Sequence, residues 1–306
     1  MTFKDKLKAY LDLTRAHFAI VWPLLFISGL LIAFRENNYF SLPLIITVFF
    51  IGLFGFEAGM VLNDIVDRKV DKLGSDNEFT KYWRPFKGRP LSSNIISIHE
   101  ALIIFLIFIG ITIALIATLP FPNNLYLYII MIYAYSVEIF YQKKKGHQQF
   151  PIAQLVGRTD LTLFPVAGYL CYGHFSITIV FIMLFLYPWA QAHLGLNDMG
   201  DYDNDKAKNL KTITMLYGMK GNVKWIAYFT LIHIGFATLL LFFKLGLIAL
   251  IGFILAFILL ITANITLIKN QTSSTATKLL PRYHASLLIY IISIILSTIF
   301  PISFFS

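Results

Sequence analysis

The sequence predicts an all-α, polytopic membrane protein with nine transmembrane helices. Three observations lead there. The 306 residues are 58% hydrophobic and only 13% charged, against an apolar share of about 45–50% in an ordinary soluble domain. Nine segments are apolar over most of a bilayer-spanning length, on the order of 20 residues. The basic residues also alternate between connections: all but three of the 25 Lys and Arg, namely Arg35, Arg158 and Lys244, fall on the side of the N-terminal arm. By the positive-inside rule that side, N-terminus included, is expected to be cytoplasmic. Topology thus accounts for the net charge of +9, and nucleic acid is not expected as a partner. An anionic substrate or membrane lipid would still gain from it.

Each segment has its own signature. The first, 16–34, follows the polar "MTFKDKLKAYLDLTR"; no small-residue cleavage site follows, so a retained helix is expected. The second, 42–62, runs straight into "VLNDIVDRKVDK" (61–72). The third, 95–119, comes after the long connection 72–94 and ends at the tight turn "PFPNN" (120–124). The fourth, 125–141, is short, and the fifth, 151–172, carries Arg158 and Asp160 before the turn "YGHF" (172–175). The sixth, 177–196, runs into "LNDMGDYDNDK" (196–206), and the connection 206–224 leads to the seventh, 225–243. The eighth, 245–268, and the ninth, 285–303, complete the set. No linker or low-complexity tract interrupts them, so residues 1–306 are expected to form one domain. Cys171 is the only cysteine, which excludes an intrachain disulfide.

The two aspartate stretches agree at Leu, Asn, Asp, Asp, Asp and Lys with the same offsets, and both lie on the basic side. Residues four apart share one helix face a turn apart. Asn63, Asp67 and Asp71 form one such stack; Asn197, Asp201 and Asp205 form another. Oxygens stacked this way repel each other unless a cation sits among them. Mg²⁺ suits them, because it takes oxygen ligands and is usually held by one or two carboxylates plus substrate phosphates. Two facing stacks could clamp a diphosphate through metal ions, with Asp64 and Asp198 as further ligands or as supports. Merely ending a membrane span requires neither asparagine nor a four-residue period.

With these motifs the sequence resembles the UbiA superfamily of intramembrane prenyltransferases, which carries paired Asn/Asp-xxx-Asp-xxx-Asp motifs at the cytoplasmic ends of the second and sixth of nine helices. "KGRPLSSNIIS" (87–97) is similar to the family's Arg-Pro-Leu loop, "AYSVEIFYQKKK" (134–145) to its Tyr-Ser and Tyr-xxx-Lys region, and "NLKTITMLYG" (209–218) to its Lys-Thr stretch. "SDNEFTKYWRPF" (75–86) reads as an insertion against that pattern. The resemblance implies nine helices around a central cavity, capped on the cytoplasmic side by the 2–3 and 6–7 connections. It further implies Mg²⁺-dependent transfer of a prenyl group from an isoprenyl diphosphate to a lipophilic or amphipathic acceptor. Asp67, Asp71, Asp201 and Asp205 would be catalytic and, with Asn63, Asp64, Asn197 and Asp198, would hold metal. Asn63, Asn197, Arg89, Tyr141, Lys143, Lys145 and Lys211 would hold diphosphate, the tyrosine spacing fitting Lys143 and Lys145 equally. Aromatic rings would stabilise the allylic cation in a dry cavity.

Arg158 and Asp160 are costly inside a membrane unless they face a cavity or a partner. Two residues apart, they do not share a helix face. Arg158 is therefore expected on the cavity wall, against acceptor or diphosphate. Glu57 is a weaker candidate for activating the acceptor as a general base. His193 and Gln191 precede the second motif and read first as structural. From another class, a cation transporter is the alternative, since acidic residues in membrane helices mark ion paths.

Overall fold

Ser41 caps the second long apolar run by accepting the Leu44 N–H at 3.3 Å, and Pro43 sits in the first turn, where its missing N–H costs nothing. Nothing after it breaks the helical pattern for 30 residues. In the computed structural model, which describes residues 2–302, this run is the single helix α3 (Leu42–Asp71), so the first aspartate stretch is its last three turns.

Ahead of it lie α1 (Phe3–Leu13), opened by a Thr2–Asp5 capping box, and α2 (Val21–Glu36). After it come the short α4 (Glu78–Trp83), then α5 (Ile98–Ala117) with a Ser97–Glu100 capping box, and α6 (Asn123–Lys144). The chain continues through α7 (Ile152–Gly157), α8 (Thr159–Leu170), α9 (Ile177–Gly200) and α10 (Tyr202–Ala207). Last are α11 (Ile213–Leu240), which runs into a π-helical turn at Leu241–Leu245, then α12 (Leu247–Lys269) and α13 (Ser273–Ile299). There is no strand among the described residues.

Among the described residues seven helices are long and apolar enough to cross a membrane: α3, α5, α6, α9, α11 with its π turn, α12 and α13. The other two expected spans differ in form. The first is α2, with 16 residues. The fifth is two helices parted at Arg158 (φ −83°, ψ 2°). There the Thr159 and Thr162 hydroxyls donate to the Val156 and Arg158 carbonyls at 2.6 and 2.8 Å, local bonds that compete with the helix ladder. Helix α13 begins 12 residues before its apolar run, and α11 does so across a kink at Gly218 (φ 68°, ψ 174°), because their polar first turns pack at the aspartate end. The Ser273 hydroxyl, for example, donates to the Gly200 carbonyl at 2.6 Å.

Helices α2 and α8 cross at backbone contact. A Cβ on Gly29 would stand 1.8 Å from the Pro165 carbonyl oxygen, and one on Gly168 1.8 Å from that of Phe26, so no side chain fits either place. Small residues at a crossing allow membrane helices to pack without a hydrophobic driving force. One buried core runs from Leu30 in α2 through Trp189 in α9 to Tyr290 in α13. A smaller one, with Leu13, Val61, Leu91 and Ile96, seats α1 against the end of α3.

The two long connections touch each other where the aspartate stretches lie. Ser75 N–H donates to Asn204 Oδ1 at 2.9 Å, and Arg89 donates to the Ser75 carbonyl at 3.3 Å. Asp12 accepts the backbone N–H groups of Phe86 and Lys87, which ties the first connection to α1.

Candidate active site

Because α3 stays helical to Asp71, Asn63, Asp67 and Asp71 face one way, and all three line a deep cavity inside the bundle. Every aspartate of this stretch is met by cations from other elements. Asp67 accepts from Lys145 Nζ at 2.6 Å, just past the end of α6. Asp71 accepts from Lys208 Nζ at 2.6 Å and has Arg89 at 3.7 Å. Asp64 points away from the cavity, with Arg15 and Arg84 each at 2.7 Å and the carboxylate buried. Arg15 reaches it from a left-handed backbone (φ 49°), a conformation that costs an arginine about 1–3 kcal/mol. Its guanidinium also takes the Asp12 and Leu13 carbonyls at 2.9 Å, which anchors it there. Burial disfavours the Lys145 charge, but Asp67 more than offsets this and Lys145 lies above the usual lysine pKa.

The second stretch is built differently. Helix α9 ends at Gly200, and Asp201 is the joint to α10 (φ −93°, ψ 15°). The four-residue rhythm survives the joint, since Asp201 N–H donates to the Asn197 carbonyl and Asp205 N–H to that of Asp201, both at 2.9 Å. Asn197, Asp201 and Asp205 therefore line the same cavity as the first stack, with Asp198 beside them. Their partners are neutral. Asp198 accepts the Ile213 N–H at 3.0 Å, Asp201 the Asn204 amide at 2.6 Å, and Asp205 the Thr212 hydroxyl at 2.8 Å. Among the described residues no cationic side chain stands within 4.0 Å of these three carboxylates. Burial, then repulsion from Asp198 and Asp201, holds Asp205 well above the ordinary carboxylate range, and burial also raises Asp201.

These residues fit a hard divalent cation such as Mg²⁺. Three uncompensated carboxylates stand beside Asn197 Oδ1, a buried acceptor with no hydrogen-bond partner. Among the described residues no three His, Cys, Asp or Glu side chains already form a metal cage. Mg²⁺ usually completes its shell with water and substrate phosphate.

The cavity holds about 1930 Å³ of empty space, part of it open to the outside. Its enclosed volume, about 330 Å³, lies within the roughly 300–1,000 Å³ of a ligand site. Away from the aspartates its wall is apolar and aromatic. Trp22 stacks on Phe56 at 4.1 Å between centroids, and Phe164 meets Phe56 and Phe26 edge-on at 5.4 and 5.8 Å.

Of the other expected residues, Arg89, Tyr141, Lys145, Arg158 and His193 line this cavity. Lys143 is exposed, so the choice between the two lysines falls to Lys145. The Lys211 side chain is not on the wall; its backbone N–H binds the Lys145 carbonyl at 2.7 Å and brings Thr212 to Asp205. Glu57 is buried, off the cavity wall, and both its carboxylate oxygens lack hydrogen-bond partners. Gln191 donates from its amide to the Gln154 carbonyl at 3.0 Å, a structural role.

Several wall residues were not anticipated. In the sequence Arg15 and Lys208 read only as topology charges, and Arg84 and Trp83 belong to the insertion-like stretch 75–86. Glu138 accepts from the Asn63 amide at 2.6 Å and the Gln142 amide at 2.5 Å. It lies three residues before Tyr141, on the same helix face, and a charge inside an apolar run was its available signal. His193 and His284 meet at 2.9 Å, with Tyr82 closing on His284 at 2.5 Å.

Comparison with known proteins decides the family. The model of the UbiA prenyltransferase family matches residues 20–292. The chain belongs to the UbiA prenyltransferase family. It is 25% identical over 279 residues to digeranylgeranylglyceryl phosphate synthase of Methanocaldococcus jannaschii, covering 90% of this chain and 91% of the relative. It is 29% identical over 233 residues to 4-hydroxybenzoate octaprenyltransferase of Psychrobacter arcticus, covering 71% of each. A UbiA homolog from Archaeoglobus fulgidus, solved with DMAPP and Mg²⁺, shares the fold at a TM-score of 0.67 and 17% identity, over 94% of this chain and 98% of that one. This UbiA-family chain is thus an integral membrane prenyltransferase. The ion-transport alternative is not supported. The relatives are prenyltransferases.

Proposed function

We propose that the protein transfers a prenyl group from a long isoprenyl diphosphate to a lipophilic or amphipathic acceptor in lipid or quinone biosynthesis, with Mg²⁺, at the cytoplasmic side of the membrane. One observation carries this reading: both Asn/Asp stacks line a single cavity whose wall is otherwise largely apolar and aromatic. A diphosphate with a hydrocarbon tail has that same division of polarity.

In this reading Asn63, Asp67, Asp71, Asn197, Asp201 and Asp205 hold the metal. Bound Mg²⁺ would neutralise the diphosphate and stabilise departing pyrophosphate. Asp64 is left out of that set because two guanidiniums enclose it, and Asp198 serves to fix the start of α11. Lys145, Lys208 and Arg89 already stand at the first stack, so a diphosphate entering there can take them over as hydrogen-bond donors. Loss of pyrophosphate leaves an allylic cation, for which the faces of Phe56, Phe164 and Trp22 offer cation–π attraction away from bulk water. The alternation of Lys and Arg supports a cytoplasmic site.

Purified protein in detergent, given Mg²⁺, geranylgeranyl diphosphate and a panel of aromatic and glycerophosphate acceptors, should yield a prenylated product by mass spectrometry. Complete absence of product across donors of several chain lengths, from folded protein, would overturn the reading.

A further inference from the structure

Each Asn/Asp stack begins with an asparagine, and an asparagine side chain has two unlike ends. A cation takes the oxygen and is repelled by the NH₂ group. Which end faces the cavity is therefore decided by whatever holds the nitrogen. In the first stack the answer is direct: the Asn63 amide donates to the Glu138 carboxylate at 2.6 Å. In the second stack, among the described residues, the Asn197 amide nitrogen has His193 alone as its partner, with Nδ1 at 3.4 Å. Asn197 Oδ1 is left buried and unpartnered.

His193 is itself held on every side. Trp189, His193 and Asn197 are four apart on α9, so they share one face. Trp189 stacks on the imidazole at 4.9 Å between centroids and 9° between planes, and its own Nε1–H is fixed on Ser286 Oγ at 3.1 Å. His193 Nε2 meets Nε2 of His284 on α13 at 2.9 Å, and His284 Nδ1 meets the Tyr82 hydroxyl on α4 at 2.5 Å. Trp83 and Phe18 stand edge-on to His284 at 5.2 and 5.0 Å.

The protons in this line are linked. The Asn197 N–H can donate only to a bare Nδ1, so His193 carries its proton on Nε2 and donates it to His284. His284 then holds its own proton on Nδ1 and donates it to Tyr82 Oη. With the line reversed, His193 would offer an N–H to Asn197, draw the amide oxygen to itself and turn the NH₂ group to the cavity.

Resting on the reading of Asn197 as a metal ligand, we infer that Tyr82, His284 and His193 are positioning residues for the cation: they hold the Asn197 nitrogen so that its oxygen is the end presented. Partners behind a ligand fix its orientation in this way at metal sites generally. Tyr82 comes from the insertion-like stretch 75–86, and Phe79 and Trp83 of the same helix line the cavity. The helix that walls the cavity thus also readies the second stack.

The test measures binding directly, with full-length protein in nanodiscs and no diphosphate present. Mn²⁺, which favours the same oxygen ligands as Mg²⁺, is titrated by electron paramagnetic resonance, with Mg²⁺ as competitor. Wild type should bind Mn²⁺ in competition with Mg²⁺. Tyr82→Phe, which removes the last acceptor of the line, and His284→Phe, which cuts it, should each raise the Mn²⁺ Kd about tenfold or more, the usual effect of losing a partner behind a ligand. Placed in an Asn197→Asp background, the same two substitutions should leave the Kd where Asn197→Asp alone sets it, because both ends of a carboxylate are oxygens. A Kd unmoved by Tyr82→Phe and His284→Phe overturns the inference while the metal reading stands. A Kd raised as much in the Asn197→Asp background as in wild type overturns it too, since that is what a merely structural contact would do. Absence of any Mn²⁺ binding that Mg²⁺ competes for would sink the metal reading of the second stack, and the inference with it.

Discussion

The two NDxxDxxxDK stretches are alike in sequence and unlike in surroundings. In the first, every aspartate is ion-paired, with five cations drawn from the ends of α1, α6 and α10 and from the 72–97 connection. In the second, Asp198, Asp201 and Asp205 meet only amides, a hydroxyl and a backbone N–H. One stack therefore stores cations that a diphosphate can claim, and the other stores negative charge that only an added cation relieves. Identical motifs can divide one task, because the electrostatics of a site come from what the fold packs against it.

The largest expected effect separates the stacks by activity and stability together. Asp67→Ala and Asp201→Ala should each abolish turnover, by about a thousandfold or more if the metal supplies several kcal/mol to leaving-group departure. Their melting temperatures should diverge. Asp67→Ala leaves Lys145 buried and unpaired and should lower Tm, whereas Asp201→Ala removes an uncompensated charge and should leave Tm equal or higher. Equal losses of Tm would break the comparison.

Asp64→Ala strands two buried guanidiniums and should cost about 3–5 kcal/mol of stability, read as a lower denaturant midpoint. The equivalent Asp198→Asn keeps an acceptor for the Ile213 N–H and should cost less.

A smaller effect is the pH dependence of the metal-free protein. Asp205 and Asp201 are raised in the folded state, so between the ordinary carboxylate pKa and the raised one the folded form binds more protons. Stability from these groups is therefore present at acidic pH and lost as pH rises through the folded pKa. Saturating Mg²⁺ should reverse that slope, since it competes with protons for the same oxygens. Thermal shifts across pH, with and without Mg²⁺, check both signs. Smallest of all, Lys143→Ala and Lys211→Ala should leave turnover within about threefold, as surface changes usually do, whereas Lys145→Ala should not.

Much of this was legible in the sequence. The helical stack Asn63–Asp67–Asp71 follows from a four-residue period, and the placement of Arg158 on a cavity wall follows from the cost of its charge in an apolar run. Hydropathy failed where helices outrun their apolar segments: the polar start of α13 is helical because it packs on α9. The ion pairs of Asp64 and Asp71 were illegible, since Arg15, Arg84 and Lys208 converge only through tertiary folding and each alone reads as a topology charge. The insertion-like 75–86 stretch hid Arg84 for the same reason.

The most direct test is pyrophosphate release from geranylgeranyl diphosphate by wild type, Asp67→Asn and Asp201→Asn, with and without Mg²⁺, in the presence of an accepted acceptor. Release that requires Mg²⁺ and both aspartates is the predicted result. Release that persists when either stack is neutralised would contradict a clamp built from both.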